Sequence, residues 1–345
     1  MSSQPRSTAV GFEVTIGGQT FTQASEEGGV QMLVVEDHVD MTDMLTLRMG
    51  GTQGQPDWNW KIGDEVECKL GSGGTIFKGQ ITAMEPGYQV EGTSTVTLRA
   101  MDQMHKLGRG RKTRTFEDMK DSDVVSQVAG EAGIPTGNIE ATSEIHPYIL
   151  QRNESDVAFL KRLAARNNYL LTMEDGSIAF KRAQFGGGGY KLKMGDNLRS
   201  MRMSFNSMDQ VQKVVVRGWD PHTKQAIVGE ATTADVERIG GGEVGADTAG
   251  QFGESTAYIT DVPVFSQAAA NEIAKVEMNR LARQFGRGSA TVQGNEQIRA
   301  GTTVEVEGLQ KGNNGTFFIL SSRHVISNRS GYTTEFSFCT NTMGT

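Results

Sequence analysis

Residues 148–171 read YILQRNESDVAFLKRLAARNNYLL, and the period of the apolar positions decides how the rest of the chain is read. Val157, Phe159, Leu160, Leu163 and Ala164 fall within one arc of a helical wheel, with Lys161, Arg162 and Ala165 opposite. Asn153 is a candidate N-cap, and Glu154 and Asp156 bring negative charge to the positive end of the helix. Downstream, residues 169–182 read as two strands joined through Glu174-Asp175-Gly176. Upstream, residues 121–135 place Val124, Val125, Val128, Ala129 and Ala132 on one helical face. Asp121 or Ser122 is the expected cap there, and Gly133 with Pro135 closes the helix. Residues 106–185 therefore read as a compact α+β insert.

Both flanks speak a different language. FEVTI (12–16) alternates with period two and runs into Gly17-Gly18, a hairpin signal. Strand-like runs follow at 44–49, 64–70, 75–84 and 93–101, so residues 1–105 read as a first β barrel. Beyond Gly186, runs at 190–194, 212–220, 224–231, 302–309, 316–327 and 333–338 make residues 186–345 a second barrel. One long helix interrupts it, capped by Ser266 and burying Ile273, Ala274, Met278, Leu281 and Phe285. The 43 glycines against 7 prolines fit a chain of many tight turns. The expected class is mainly β, with two similar β-barrel domains flanking a small α+β domain.

The two β blocks also resemble each other. The segment from Lys61 to Ala100 and that from Arg299 to Phe338 share a strand–turn–strand–strand pattern. Gly63 aligns with Gly301 and Leu98 with Phe336, both at an offset of 238 (301 − 63; 336 − 98), and Phe77 with Phe318 at 241 (318 − 77). A trimer of such a chain would carry six barrels in a ring.

Composition removes several functions. The chain of 345 residues has a formal net charge of -7, which gives no general reason for nucleic-acid binding. It contains no apolar run long enough for a membrane span, and residues 1–10 show no secretory signal, so cytoplasmic synthesis is the default. Cys68 and Cys339 are too few and too distant for a disulfide framework or a metal knuckle, and the five histidines lack zinc-ligand spacing. The clusters at 186–189 and 240–242 lack the spacing of phosphate-binding loops. No catalytic, cofactor or metal residue is expected, and carboxylate pairs such as Glu26-Glu27 and Glu174-Asp175 sit in turns. One basic run stands out: Lys106, Arg109, Arg111, Lys112 and Arg114, where the first barrel meets the insert, a candidate assembly interface or a solvated linker. A glycan-binding or carbohydrate-active β protein is the alternative reading.

The 148–171 segment resembles the signature of baseplate hub proteins of contractile injection systems, the phage late control protein D family, and the hub part of type VI secretion spike proteins. Gln151, Asn153, Glu154, Ser155, Asp156, Phe159, Leu160, Arg162 and Leu163 carry the match, and residues 296–338, with His324, resemble the family's closing barrel. The resemblance implies a non-enzymatic, trimeric, pseudo-six-fold ring. It would adapt a hexameric inner tube protein to a trimeric spike protein within a phage-tail-like particle, beside other baseplate components. It also implies that the helix at 153–163 is a structural brace and His324 a hydrogen-bonded barrel residue. Because the sequence stops at Thr345, the spike is expected to be a separate polypeptide.

Overall fold

The computed structural model describes residues 11–22, 29–50, 58–71, 74–186, 189–328 and 331–344. The readings of residues 1–10, of Glu26-Glu27 and of the middle of the 186–189 glycine cluster lie outside them. In chain order the first β unit comprises β1 (Phe12–Ile16), β2 (Gln19–Thr22), β3 (Val30–His38), β4 (Met44–Gly50), β5 (Glu65–Leu70), β6 (Thr75–Gly87) and β7 (Thr95–Met101). A 3-10 helix (Gln103–Gly108) leads into the insert: β8 (Lys112–Lys120), α1 (Asp121–Glu131), β9 (Thr136–Ile139), β10 (Ile145–Glu154), α2 (Asp156–Arg166), β11 (Tyr169–Glu174) and β12 (Ser177–Arg182). Then come β13 (Tyr190–Lys193) and β14 (Leu198–Phe205). A second insert follows: β15 (Lys213–Asp220), β16 (Gln225–Thr232), α3 (Gly245–Ala249), β17 (Thr256–Ile259) and α4 (Gln267–Ala282). The chain ends with β18 (Gly286–Gln293), β19 (Thr303–Glu307), β20 (Gly315–Ser327) and β21 (Gly331–Thr340).

The β units meet in one curled, 13-stranded sheet of order β14-β18-β21-β20-β3-β4-β7-β6-β5-β1-β2, with β13 and β19 attached beside β20. Alternate residues of β1, Phe12, Val14 and Ile16, are buried, and Gly17 and Gly18 take φ of 55° and 88°, as a primed hairpin turn requires. One core lies inside the first unit around Leu47, Val96 and Leu98, another inside the second around Val304, Ile319 and Phe338.

The repeat is written into the hydrogen-bond register. Gly63 donates to the Ile81 carbonyl and Gly301 to that of Ile319, both at 2.9 Å. Ile81 and Ile319 donate in turn to Asp64 and Thr302. Gly63 and Gly301 both hold left-handed φ, 100° and 80°. Val66 pairs with Gly79 as Val304 pairs with Phe317, and Met84 with Leu98 as Ser322 with Phe336. Each long strand carries a bulge at the same place, between Ile81 and Ala83 and between Ile319 and Ser321. The correspondence extends outward: Leu33 pairs with Leu47 as Met201 with Ala290, and bulges recur between Val30 and Met32 and between Leu198 and Ser200. Five strands, β3-β4-β7-β6-β5, thus match β14-β18-β21-β20-β19.

One expected pair is corrected. The register sets Phe77 opposite Cys68 where the second unit has Gly315 opposite Val306, so Phe77 corresponds to Gly315 and not to Phe318. The similar letters Gly74-Thr75-Ile76-Phe77 and Gly315-Thr316-Phe317-Phe318 pull a sequence alignment three positions off the ladder (318 − 315 = 3). The third block is also more divided than its strand pattern suggests. Among the described residues, β15, β16 and β17 pair only with one another, and α4 packs on their inner face around Val214, Val216, Ala274 and Met278. Gly229 permits that contact, since a Cβ there would lie 2.2 Å from the Ala270 carbonyl carbon.

Two caps differ from their sequence assignments. Ser155, not Asn153, caps α2, its Oγ accepting from the Ala158 N–H at 3.4 Å. Asn153 instead sits in the bulge near the end of β10 at φ 47°, a conformation Asn tolerates. In α1 neither Asp121 nor Ser122 caps. Asp121 is buried against Arg166 and Asn167, and Ser122 exchanges 3.3 Å bonds with Thr142. Ser266 caps α4 at 3.0 Å.

The joint between two β units as the candidate functional site

The fold brings the two units together along one antiparallel seam, from Ser321 opposite His38 to Ser327 opposite Met32. On β3, Leu33, Val35 and Asp37 share a face, so the strand's period carries a carboxylate into an apolar seam. Asp37 is 4% exposed. It accepts from Arg299 Nε, the Ala300 N–H at 3.2 Å, the Ser322 N–H at 3.1 Å and the Ser322 hydroxyl. Ser322 Oγ lies 3.1 Å from His324 Nε2, and His324 Nδ1 lies 2.9 Å from the Tyr332 hydroxyl and 3.2 Å from Thr334 Oγ1. Burial pushes the His324 ring down to about 4, so it is neutral. Asp, Ser and His are present, but not in a catalytic arrangement. The serine sits between the other two and donates to the carboxylate, whereas nucleophilic catalysis needs the histidine in the middle. These side chains clamp the seam.

A second acidic pair lies beside it. Asp102 caps the 3-10 helix by accepting from the Met104 N–H at 2.8 Å, and its other oxygen accepts from the Asp43 N–H at 2.9 Å. Asp43 accepts from the His38 N–H at 3.1 Å. Burial raises Asp102 to about 6. Burial, with Asp102 and Asp37 nearby, raises Asp43 well above the usual carboxylate range. A cavity of about 410 Å³ separates these groups from the β11–β12 hairpin, with Arg299, Glu174 and Lys181 in its wall. Shifted carboxylates in a cavity are where acid–base chemistry is sought. Here both Asp102 oxygens are committed to backbone N–H groups, which is the work of a turn. Among the described residues no cluster of His, Cys, Asp or Glu has the makings of a metal site.

The basic run found in the sequence divides. Lys112 and Arg114 lie on β8, the first exposed and the second half-buried, and both reach carboxylates of neighbouring elements. Lys112 Nζ meets Asp156 Oδ2 at 2.6 Å, while Arg114 reaches Gln151 at 2.7 Å, Asp156 at 3.1 Å and Glu131. Burial works against the Asp156 charge, but Lys112, Gln151 and Arg114 outweigh it and hold the carboxyl below its ordinary value. Arg111 donates to the Asn153 carbonyl at 3.1 Å and Lys106 reaches Gln103 at 3.4 Å, while Arg109 follows the 3-10 helix on an exposed turn. Glu154 pairs with Arg162 at 2.7 Å. Phe159 and Leu163 are fully buried, and Phe159 stacks on Phe116 with centroids 5.5 Å apart. The segment that opened the reading therefore ties α2 to β8 and β10. Sequence reasoning missed Asp37, Asp43, Asp102, Arg299 and Ser322. The available signal was a carboxylate on the apolar face of β3.

Two register-matched units on one curled antiparallel sheet, with one α/β insert between them and another within the second unit, make a fold shared with phage tail proteins. The chain is similar to the prophage MuSo2 43 kDa tail protein from Shewanella oneidensis, at 18% identity and a TM-score of 0.72, covering 95% of this chain and 98% of that one. It is likewise similar to a tail protein from Neisseria meningitidis MC58, at 15% identity and a TM-score of 0.68, covering 96% of each. An E. coli type VI secretion component, described as structurally similar to T4 tail proteins gp27 and gp5, has a TM-score of 0.64 at 11% identity, covering 95% of this chain and 76% of that one. The probable baseplate hub protein of Escherichia phage 186 is 24% identical over 181 residues, 51% of this chain and 46% of that protein, so the chain spans about half the length of this curated relative. Residues 59–328 match the family model described as Alg8 N-terminal domain, and the chain belongs to that family.

Proposed function

We propose that the chain is a non-enzymatic structural hub of a contractile injection particle, assembled as a homotrimer whose six β units form a pseudo-six-fold ring. The first barrel (1–105), the insert (106–185) and the second barrel (186–345) are its working parts. One face of the ring stacks on a hexameric inner tube protein and the other receives a trimeric spike, with the inserts directed outward. The observation that carries this reading is the repeat. Two units with the same strand order, register and bulges repeat one backbone frame twice per chain, so three chains offer six to a six-fold partner and still only three copies of everything else. The named hub and tail relatives point the same way.

Light scattering on the purified chain tests the reading. A mass of three chains supports it, and a monomer at every concentration overturns it. At the particle level, a labelled chain should locate at the junction of tube and spike.

A further inference from the structure

Exposed apolar side chains are unevenly placed. Of the thirteen large ones among the described residues, seven lie between Met208 and Phe265, in and around the second insert. Three of these share one sheet face. On β15, Val214 and Val216 point to α4, so Val215, Arg217 and Trp219 point away from it. The register sets Val228 beside Arg217 and Tyr258 beside Val215 on the same open side. Trp219 is 60% exposed, Tyr258 60% and Val228 40%, where the solvent side of a sheet is ordinarily polar. The face is also concave. A trough of about 630 Å³ runs over Val215, which is 5% exposed although it faces away from α4.

The charges along the trough say what fills it. Lys213 and Glu230 satisfy each other at 2.8 Å. Arg217 and Glu254 also line it, and neither has an ion-pair partner among the described residues. The Arg217 guanidinium lies over the Tyr258 ring, 5.0 Å from its centroid, which holds it in place without neutralising it. At the other end the Ser255 carbonyl accepts from the Gln212 N–H at 3.1 Å. Glu254 therefore stands roughly six positions, or ~20 Å of extended strand, before Arg217. We propose that the trough receives one extended segment of a different protein, apolar at its centre, with a carboxylate toward Arg217 and a base toward Glu254. Trp, Tyr and Arg dominate binding energy at protein interfaces, and this face presents all three together. A glycan fits less well, because Arg217 already covers the Tyr258 ring and a neutral sugar leaves both charges unanswered. A second copy of the same face also fits less well, since two concave surfaces set together enclose a void. Such a site depends on the second insert alone and stands or falls apart from the ring.

Selection from a yeast-displayed library of random nonapeptides tests this on the full chain, with the Arg217→Glu chain selected in parallel. The native chain should enrich apolar sequences with an acidic residue near one end and a basic residue near the other. Arg217→Glu should bind those peptides ~10-fold or more weakly and should enrich sequences in which Lys or Arg replaces the acid. Trp219→Ser should lose the same peptides while amide exchange in 267–282 stays unchanged, which separates a lost contact from a lost fold. Failure to enrich any sequence overturns the proposal, and so does enrichment that lacks the charge pattern or is the same on both chains. A tryptophan emission change on adding an N-acetylglucosamine tetrasaccharide, abolished by Trp219→Ser, would make the occupant a glycan. A changed oligomer mass in Trp219→Ser would make it a second copy. Either result overturns a peptide occupant.

Discussion

Replacing Asp37 with alanine should open the internal joint more than any other single change in the seam. The carboxylate neutralises Arg299, whose side chain is 28% exposed, and accepts from Ala300 and from both donors of Ser322. Truncation strands a mostly buried guanidinium and leaves two backbone N–H groups without their acceptor. Breaking a buried pair at one end costs about 3–5 kcal/mol, most of it the uncompensated charge. The double variant Asp37→Ala/Arg299→Met removes that charge, so it should be more stable than Asp37→Ala alone even though it lacks more native groups. Urea unfolding at one fixed protein concentration measures both, since assembly would otherwise shift apparent stability. A loss below about 1 kcal/mol for Asp37→Ala, or no recovery in the double variant, would refute charge burial as the basis of the joint.

Phe159→Ala should cost about 3–5 kcal/mol, because the ring is fully buried against Phe116, and near-wild-type urea stability would contradict the packing. Gly229→Ala should destabilise the second insert by forcing α4 off β16, read as faster amide exchange in 267–282 with the large sheet unchanged; uniform protection would count against it. The pH profile should hide two opposed slopes. Asp102, near 6 when folded against an ordinary 3.8, keeps a proton that the unfolded chain releases, so its contribution to stability falls as pH rises between those values. His324, near 4 against an ordinary 6.5, binds its proton only when unfolded, so its contribution rises over its own range. Asp102→Asn removes that group's part of the falling slope, Asp43 keeping its own, and its stability should climb between pH 4 and 6 by roughly 3 kcal/mol more than that of wild type; parallel profiles would falsify the assignment.

The class of fold was legible because period-two runs and glycine turns in the flanks contrast with helical periods in the insert. Less visible were the strands whose sequences do not alternate. β3 breaks the alternation at Leu33, Val34 and Val35, all three buried, and the basic residues of β8 look like a linker until their carboxylate partners on α1 and α2 are known. The repeat was detectable, but its register was not fixed at Phe77, since a hairpin tip is matched by letters in sequence and by hydrogen bonds in the fold. The seam residues were out of reach for a further reason. Asp37 and Ser322 lie 285 positions apart, and only the β3–β20 pairing makes them neighbours. The cap at Asn153 misled because Asn suits both a helix start and a left-handed turn, and Ser155 two residues on serves the first role.

The central claim is that two matched β units per chain close with those of other copies into one ring. An electron cryo-microscopy reconstruction of the assembled chain tests it most directly. The account predicts three copies around one axis and six β units of alternating kind. A ring whose neighbouring copies meet only through the inserts, with their β units apart, would contradict it.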